Sequence, residues 1–201
     1  MKNLIRGHIY QLKKDNFFFG CLALSCVSLF VSIRLSLSLA FADAPVMGIE
    51  ELFNTFLGGD IALYIFMLLT ANMVAEAYRS GVMKNIVGRG IGKKPYYLSI
   101  VLTISAAYVL VMLMGSIVAG VLAGSKFGMG TISYPGYYAL SVVARILFVM
   151  AHISFALTAT IYTRNAITGV IIGLAIPNIP KILEMVLVPS QSEFFVISKH
   201  F

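Results

Sequence analysis

Residues 88–94 read GRGIGKK, and glycines interleaved with cations are what a phosphate-binding loop requires. Such a loop needs GxxxxGK[ST], so that successive backbone N–H groups cradle phosphates, a lysine reaches them and a hydroxyl holds magnesium. Here the interval from Gly88 to Gly92 is one residue short, and Lys94 stands where the Ser or Thr belongs. A long apolar run of helical length precedes it, not a strand. The stretch does not bind nucleotide, and ATP hydrolysis is not expected on this chain.

Other reactive sets are thin. His8, His152 and His200 lie in three separate regions, there is no HExxH, and no carboxylate pair lies inside an apolar run. Cys21 and Cys26 share one run five residues apart, which is neither CxxC nor metal spacing. They read as two small residues buried in lipid, and His152 reads as a helix-contact residue. No catalytic residue, metal or cofactor is expected on this chain, so it is not an enzyme by itself. Charges inside apolar runs carry more weight, because each costs about 2.5–3.5 kcal/mol on insertion scales. They are Arg34, Arg145, Lys181 and Glu184. They either line a path through a bundle or sit near an interface. Lys181 and Glu184 are three apart and can neutralise each other on one helix face. They follow IPNIP, where Pro177 and Pro180 predict a broken or kinked helix.

The elements that must hold these residues follow from composition. Hydrophobic residues make up 59%, charged residues 11%, and the mean hydropathy is +0.92; soluble domains carry about 25% charged residues. Five runs reach the roughly 20 apolar residues of a membrane helix, near 17–41, 60–78, 97–124, 137–162 and 165–189. In lipid each must satisfy its own backbone, so each must be helical. The expected fold is an all-α polytopic membrane protein of about five spans, a single domain over 1–201. The run ending LSLSLAFADA is too long for a signal-peptide core and is interrupted by Arg34, so it is expected to stay as a span.

Lys and Arg mark the cytoplasmic side. Lys2, Arg6, Lys13 and Lys14 precede the first run. Arg79, Lys84, Arg89, Lys93 and Lys94 lie between the second and third, and Arg164 between the fourth and fifth. The alternate segments hold only Lys126 and Lys199, with Asp43, Glu50, Glu51 and Asp60 in the first of them. The N-terminus is therefore expected inside. The net charge of +7 is matched to anionic lipid rather than nucleic acid, because it sits beside the spans.

Between the spans, residues 1–16 place Leu4, Ile5, Ile9 and Leu12 at near-helical spacing among cations, which predicts an amphipathic helix in the interface. Residues 46–59 predict a short helix along the outer surface, turned into the second span by Gly58 and Gly59. Two GxxxG patterns, Gly120–Gly124 and Gly169–Gly173, allow close helix contact within a bundle or a dimer. Residues 79–95 read as a helix end, a turn at Gly81 and a short helix over 82–87. Val82, Met83, Ile86 and Val87 give that helix an apolar face. Gly88 and Gly90 stop it, and Pro95 begins the next helix. A plain positive-inside loop needs no apolar face.

The stretch YRSGVMKNIVGRGIGKKPYYLS resembles the segment after the second span in permeases of type-2 ABC exporters. Gly81, Lys84, Asn85, Gly90, Lys93, Tyr97 and Ser99 fall on that pattern. The resemblance implies a coupling helix that docks on a separate cytoplasmic ATPase subunit, with Glu76, Gly81, Lys84, Asn85, Ile86 and Gly90 in the coupling segment. It also implies ATP and magnesium on that partner, a second permease chain, identical or homologous, and a bacterial plasma membrane. The implied cargo is amphiphilic, an antimicrobial peptide or hydrophobic drug. The chain departs from the pattern at Val82, usually Thr, and at Gly92, often Ser. Glu76 lies one place before the usual acidic position, about 100° around a helix. Five runs stand where the family usually has six. An ATP-independent carrier using Arg145, Lys181 or Glu184, and a membrane scaffold without a path, are the alternatives.

Overall fold

The structure is a computed structural model that describes residues 2–39, 48–88, 90, 92–131 and 135–187. Within those, side chains are described except at 2, 36–39, 86–87, 93, 177 and 180–187. Every described element is an α-helix: α1 (Lys2–Lys14), α2 (Asn16–Leu39), α3 (Gly48–Leu57), α4 (Asp60–Arg79), α5 (Val82–Gly88), α6 (Lys93–Phe127), α7 (Pro135–Thr163) and α8 (Ala166–Leu187). Four stretches among them are long and apolar enough to cross a membrane: Asn16–Leu35, Gly48–Arg79, Lys94–Phe127 and Pro135–Thr163. The protein is an all-α polytopic membrane protein. The expected fifth span falls on α8, whose apolar stretch Ala166–Ile176 is shorter.

The contacts set the directions. Leu29 of α2 packs on Gly115 of α6, and Ile33 packs with Ala119 and Ala123, so α2 and α6 run parallel. Tyr97 near the start of α6 hydrogen-bonds to Ser154 and Thr158 of α7, while Tyr108 further along meets Arg145, so these two helices are antiparallel. Gly169 and Gly173 of α8 meet Thr160 and Ala156, so α8 reverses again. Asn16, the Arg79–Lys93 segment and the Thr163–Ala166 turn consequently gather at one end of the bundle. Lys14, Arg79, Lys84, Lys94 and Arg164, among the described residues, lie at that end with them, and the Arg164 guanidinium lies 5.8 Å from the Tyr78 ring centre. Among the described residues, the alternation of Lys and Arg along the sequence is thus an alternation of bundle ends.

The core lies between α4, α6 and α7, with Leu63, Phe66, Met67, Ile100, Ile104, Tyr108, Met112, Ile153 and Leu157 buried. The rest of the apolar surface faces outward, as in Leu110, Met114, Leu140 and Leu147, because lipid is as good a solvent for it as a core. At 35 residues, α6 is about 52 Å long, well beyond the roughly 30 Å of hydrocarbon.

That extra length is where α3 packs. The helix expected along the outer surface runs antiparallel along the second half of α6 instead, from Gly120–Gly124 near Gly48 to Met112 and Tyr108 near Gly59. A Cβ on Gly48 would stand 2.7 Å from the Gly120 carbonyl oxygen and 2.8 Å from the Gly124 Cα, so Gly48 cannot carry a side chain there. The N–H groups of Gly48 and Ile49, which α3 cannot use, donate to the carbonyls of Gly128 and Met129 at 3.0 and 3.1 Å. Gly169–Gly173 is likewise covered from within the chain, by Thr160, Ala156 and Met67. Both GxxxG patterns therefore serve contacts inside one chain.

The break expected at Pro177 and Pro180 is not seen. The chain stays helical from Ala166 to Leu187, and the Asn178 amide donates to the Leu174 carbonyl at 2.7 Å.

Candidate functional site

At the basic end, α4 stops at Gly81 and α5 starts at once. Gly81 has φ +73°, the left-handed conformation that favours glycine at a helix C-terminus. Nothing lies within 4 Å of a Cβ built there, so the backbone alone demands the glycine. The Gly81 carbonyl accepts from the N–H groups of Lys84 and Asn85, at 3.0 and 3.3 Å, and so nucleates α5. Gly90, with φ +75°, follows its end, and Gly92 in extended backbone leads into α6. The short helix expected over 82–87 is thus present as Val82–Gly88. Met83 packs against the core, while Lys84, Asn85 and Val82 are exposed. The Ile86 side chain lies outside the described residues. α5 touches α4 and presents Val82, Lys84 and Asn85 outward between the end of α4 and the start of α6.

Glu76 is not part of that surface. Its side chain lines a groove of about 530 Å³ with Tyr10, Gln11, Lys14, Asp15 and Asn16, at the turn from α1 to α2. Its carbonyl accepts from the Ser80 N–H at 2.9 Å and from the Ser80 hydroxyl at 2.8 Å. The structure therefore brings Glu76 to α1 and the other expected coupling residues to α5.

The helix expected over residues 1–16 forms as α1, and a residue its apolar pattern did not include fixes it. His8 is buried against the first turns of α6, with its ring 5.3 Å from that of Tyr96 and its Nε2 3.0 Å from Ser99 Oγ. The Ser99 hydroxyl donates its proton to the Tyr96 carbonyl at 2.7 Å. The bond from His8 is therefore an N–H donation from Nε2 to the serine oxygen. Burial holds the His8 imidazole below its ordinary value, favouring the neutral form.

The charges inside the spans part company. Arg34 is exposed on α2, with its guanidinium over Phe30 at 5.8 Å, and lines no interior. The side chains of Lys181 and Glu184 lie outside the described residues. Arg145 is largely buried, and its two terminal nitrogens are answered. Its Nη1 donates to Asp60 Oδ1 at 2.8 Å, and its Nη2 to the Tyr108 hydroxyl oxygen at 3.1 Å. The Tyr108 hydroxyl donates onward to the Gly59 carbonyl at 3.1 Å. The guanidinium also lies 5.4 Å from the Phe148 ring centre. This cluster joins α4, α6 and α7 at the α3–α4 break. Sequence reasoning placed Asp60 at the edge of a run but did not pair it with Arg145, 85 residues away.

His152 is buried as a helix-contact residue, its Nδ1 2.9 Å from the Phe148 carbonyl oxygen. Cys21 and Cys26 are free thiols on α2, the first buried and the second exposed. Among the described residues no three His, Cys, Asp or Glu come together as a metal site. No known family, curated protein or solved structure matches this chain.

Proposed function

We propose that the chain is the permease subunit of a type-2 ABC exporter. It works in a bacterial plasma membrane with a separate cytoplasmic ATPase subunit and a second permease chain, identical or homologous. Its cargo is amphiphilic, an antimicrobial peptide or hydrophobic drug moved outward. ATP and magnesium belong to the partner. The observation that carries this reading is α5: seven residues held between two left-handed glycines, at the basic end, directly linking two long helices. Closure of two ATPase subunits would push on α5. Because α5 is bonded to Gly81 and followed closely by α6, the push passes into α4 and α6 together. The docking of α1 onto α6 through His8 supports the same picture, since it braces α6 against the membrane surface.

The test is to replace Gly81 by Ala and Lys84 by Ala, and to measure ATP hydrolysis and cargo export in vesicles. This reading expects hydrolysis to continue while export falls, with the chain still folded. Unchanged export would remove the coupling role.

A second reading, an ion-driven carrier, rests on the Asp60–Arg145 pair, which is the arrangement in which an in-span charge can exchange partners. It expects export without any ATPase and its loss on replacing Asp60.

A further inference from the structure

A groove of about 560 Å³ runs between α1, the start of α2 and α6. Ile9 and Lys13 of α1 and Phe18 of α2 face the stretch of α6 from Leu102 to Leu110. That stretch makes the groove about 12 Å long on the α6 side. The groove begins where α1 crosses the first turns of α6, at the basic end of the bundle, and continues into the apolar stretch Lys94–Phe127. Its volume lies in the range of about 300–1,000 Å³ usual for sites that take small molecules.

The lining fixes the chemistry of an occupant. Its walls are apolar, and the Thr103 hydroxyl is spent on the Ser99 carbonyl at 2.7 Å. Ile9, Leu102 and Leu110 stay exposed along it, so the groove opens sideways to lipid. Lys13 is the charged residue of the lining. Arg6 precedes it by seven residues, which on a helix is about 20° of rotation and about 10 Å of rise. The two cations therefore share the edge of α1 beside Ile9, and both are exposed. Among the described residues neither makes an ion pair. Asp15, the acid next along the chain, accepts the Phe17 N–H at 2.8 Å and lines the separate groove that holds Lys14 and Glu76.

We infer that this groove holds an acyl chain of an anionic phospholipid, with the phosphate against Lys13 and Arg6. A long apolar slot running inward from two unpaired cations fits a molecule with a hydrocarbon chain and an anionic head. A zwitterionic lipid brings the same chain, but its own ammonium offsets the charge that the two cations favour. The bound lipid fastens α1 to α2 and α6. The inference rests on the helical membrane fold, needs no ATPase, and stands whether or not the exporter reading does.

The sequence has no tryptophan, so Leu110→Trp, at an exposed position at the inner end of the groove, supplies a unique reporter. The full chain is placed in phosphatidylcholine nanodiscs that contain the same mole fraction of either phosphatidylglycerol or phosphatidylcholine with brominated chains, which quench indole fluorescence on contact. Brominated phosphatidylglycerol should quench more strongly, and titrating its fraction gives its relative affinity. Lys13→Gln should lower that affinity about fivefold, and Arg6→Gln combined with Lys13→Gln should make the two lipids equal. Lys14→Gln, which lines the other groove, should change nothing. A second reporter, Leu147→Trp, is exposed on α7 two residues beyond Arg145, which meets Tyr108, and so lies at a comparable depth. Both lipids should quench it equally. If Leu110→Trp does not fold, Leu102→Trp, exposed in the same groove, takes its place. Equal quenching of the groove reporter by the two lipids would overturn the inference. So would a loss in Lys14→Gln as large as in Lys13→Gln, which would assign the attraction to the basic end as a whole. A groove reporter quenched by neither lipid, while the Leu147→Trp reporter is quenched by both, would also overturn it and would put a second copy of the chain or another protein in the groove.

Discussion

Arg145 of α7 reaches Asp60 at the first residue of α4 across a 2.8 Å ion pair, and holds the Tyr108 hydroxyl with its other terminal nitrogen. Three helices are pinned at the point where the α3–α4 helix is broken. The guanidinium side is 10% exposed and the carboxylate side 45%. Breaking a fully buried pair costs about 3–5 kcal/mol, and the exposure of Asp60 lowers that here to about 1–3 kcal/mol. Asp60→Asn and Arg145→Met should each destabilise by that amount, with Arg145→Met worse when Asp60 is kept. The double variant should lose less than the two losses added. A double-mutant cycle on unfolding in detergent checks this, and simple additivity would contradict the pairing.

Tyr108→Phe removes two hydrogen bonds, to the Gly59 carbonyl and from Arg145, and leaves the ring in place against Phe66. A loss of about 1–3 kcal/mol is expected, since both partners are left short in a buried setting. The unfolding midpoint reads it directly, and a shift no larger than that of Tyr137→Phe, on an exposed tyrosine, would count against the cluster.

Gly173 has no room for a side chain: a Cβ there would stand 2.8 Å from both Ala156 Cβ and Met67 Cε. Gly20 has nothing within 4 Å. Gly173→Leu should therefore disrupt the α7–α8 packing by about 1–3 kcal/mol or more, whereas Gly20→Leu should be close to neutral. Neither change should alter the association of one chain with another, because the glycine faces are filled from within. Cross-linking in vesicles measures that association, and loss of a dimer in Gly173→Leu without loss of folding would contradict it.

His8 sets a pH dependence for α1. Its buried imidazole titrates below the ordinary value in the docked state, so the undocked state binds more protons as pH falls below about 6.5. Docking is then at full strength above that value and weakens with acidification. Amide exchange of residues 3–14 should be faster at pH 5.5 than at pH 7.5 in the wild type, and insensitive to this change in His8→Phe. Equal exchange at both pH values in the wild type would remove His8 from this role.

Much of the architecture was legible because hydrophobic run length and the placement of Lys and Arg are properties of consecutive residues. The run at 17–41 became α2, 60–78 became α4, and the turn glycines Gly81 and Gly90 fell where a left-handed backbone occurs. What the sequence hid depends on pairs far apart in the chain. Arg34 and Arg145 look alike as single cations in apolar runs, yet one meets lipid and a ring while the other meets Asp60. The docking of His8 on Ser99 spans 91 residues, and no local pattern marks it. The GxxxG glycines were visible, but whether they face α3, α8 or another chain is settled only by where those helices lie. The course of α3 along α6 was missed because an amphipathic helix can lie on lipid or on protein with the same face.

The central claim is that α5 docks on an ATPase subunit, and site-specific photocross-linking tests it most directly. A benzophenone side chain placed at Lys84, in the tagged full chain expressed in its own cell, should cross-link to one cytoplasmic protein with a phosphate-binding loop. The same probe at Tyr137, near the opposite end of the bundle, should not. Mild-detergent purification should recover that ATPase with the chain in comparable amounts. A folded, membrane-inserted chain that yields no ATPase adduct at position 84, and purifies without one, would contradict the account.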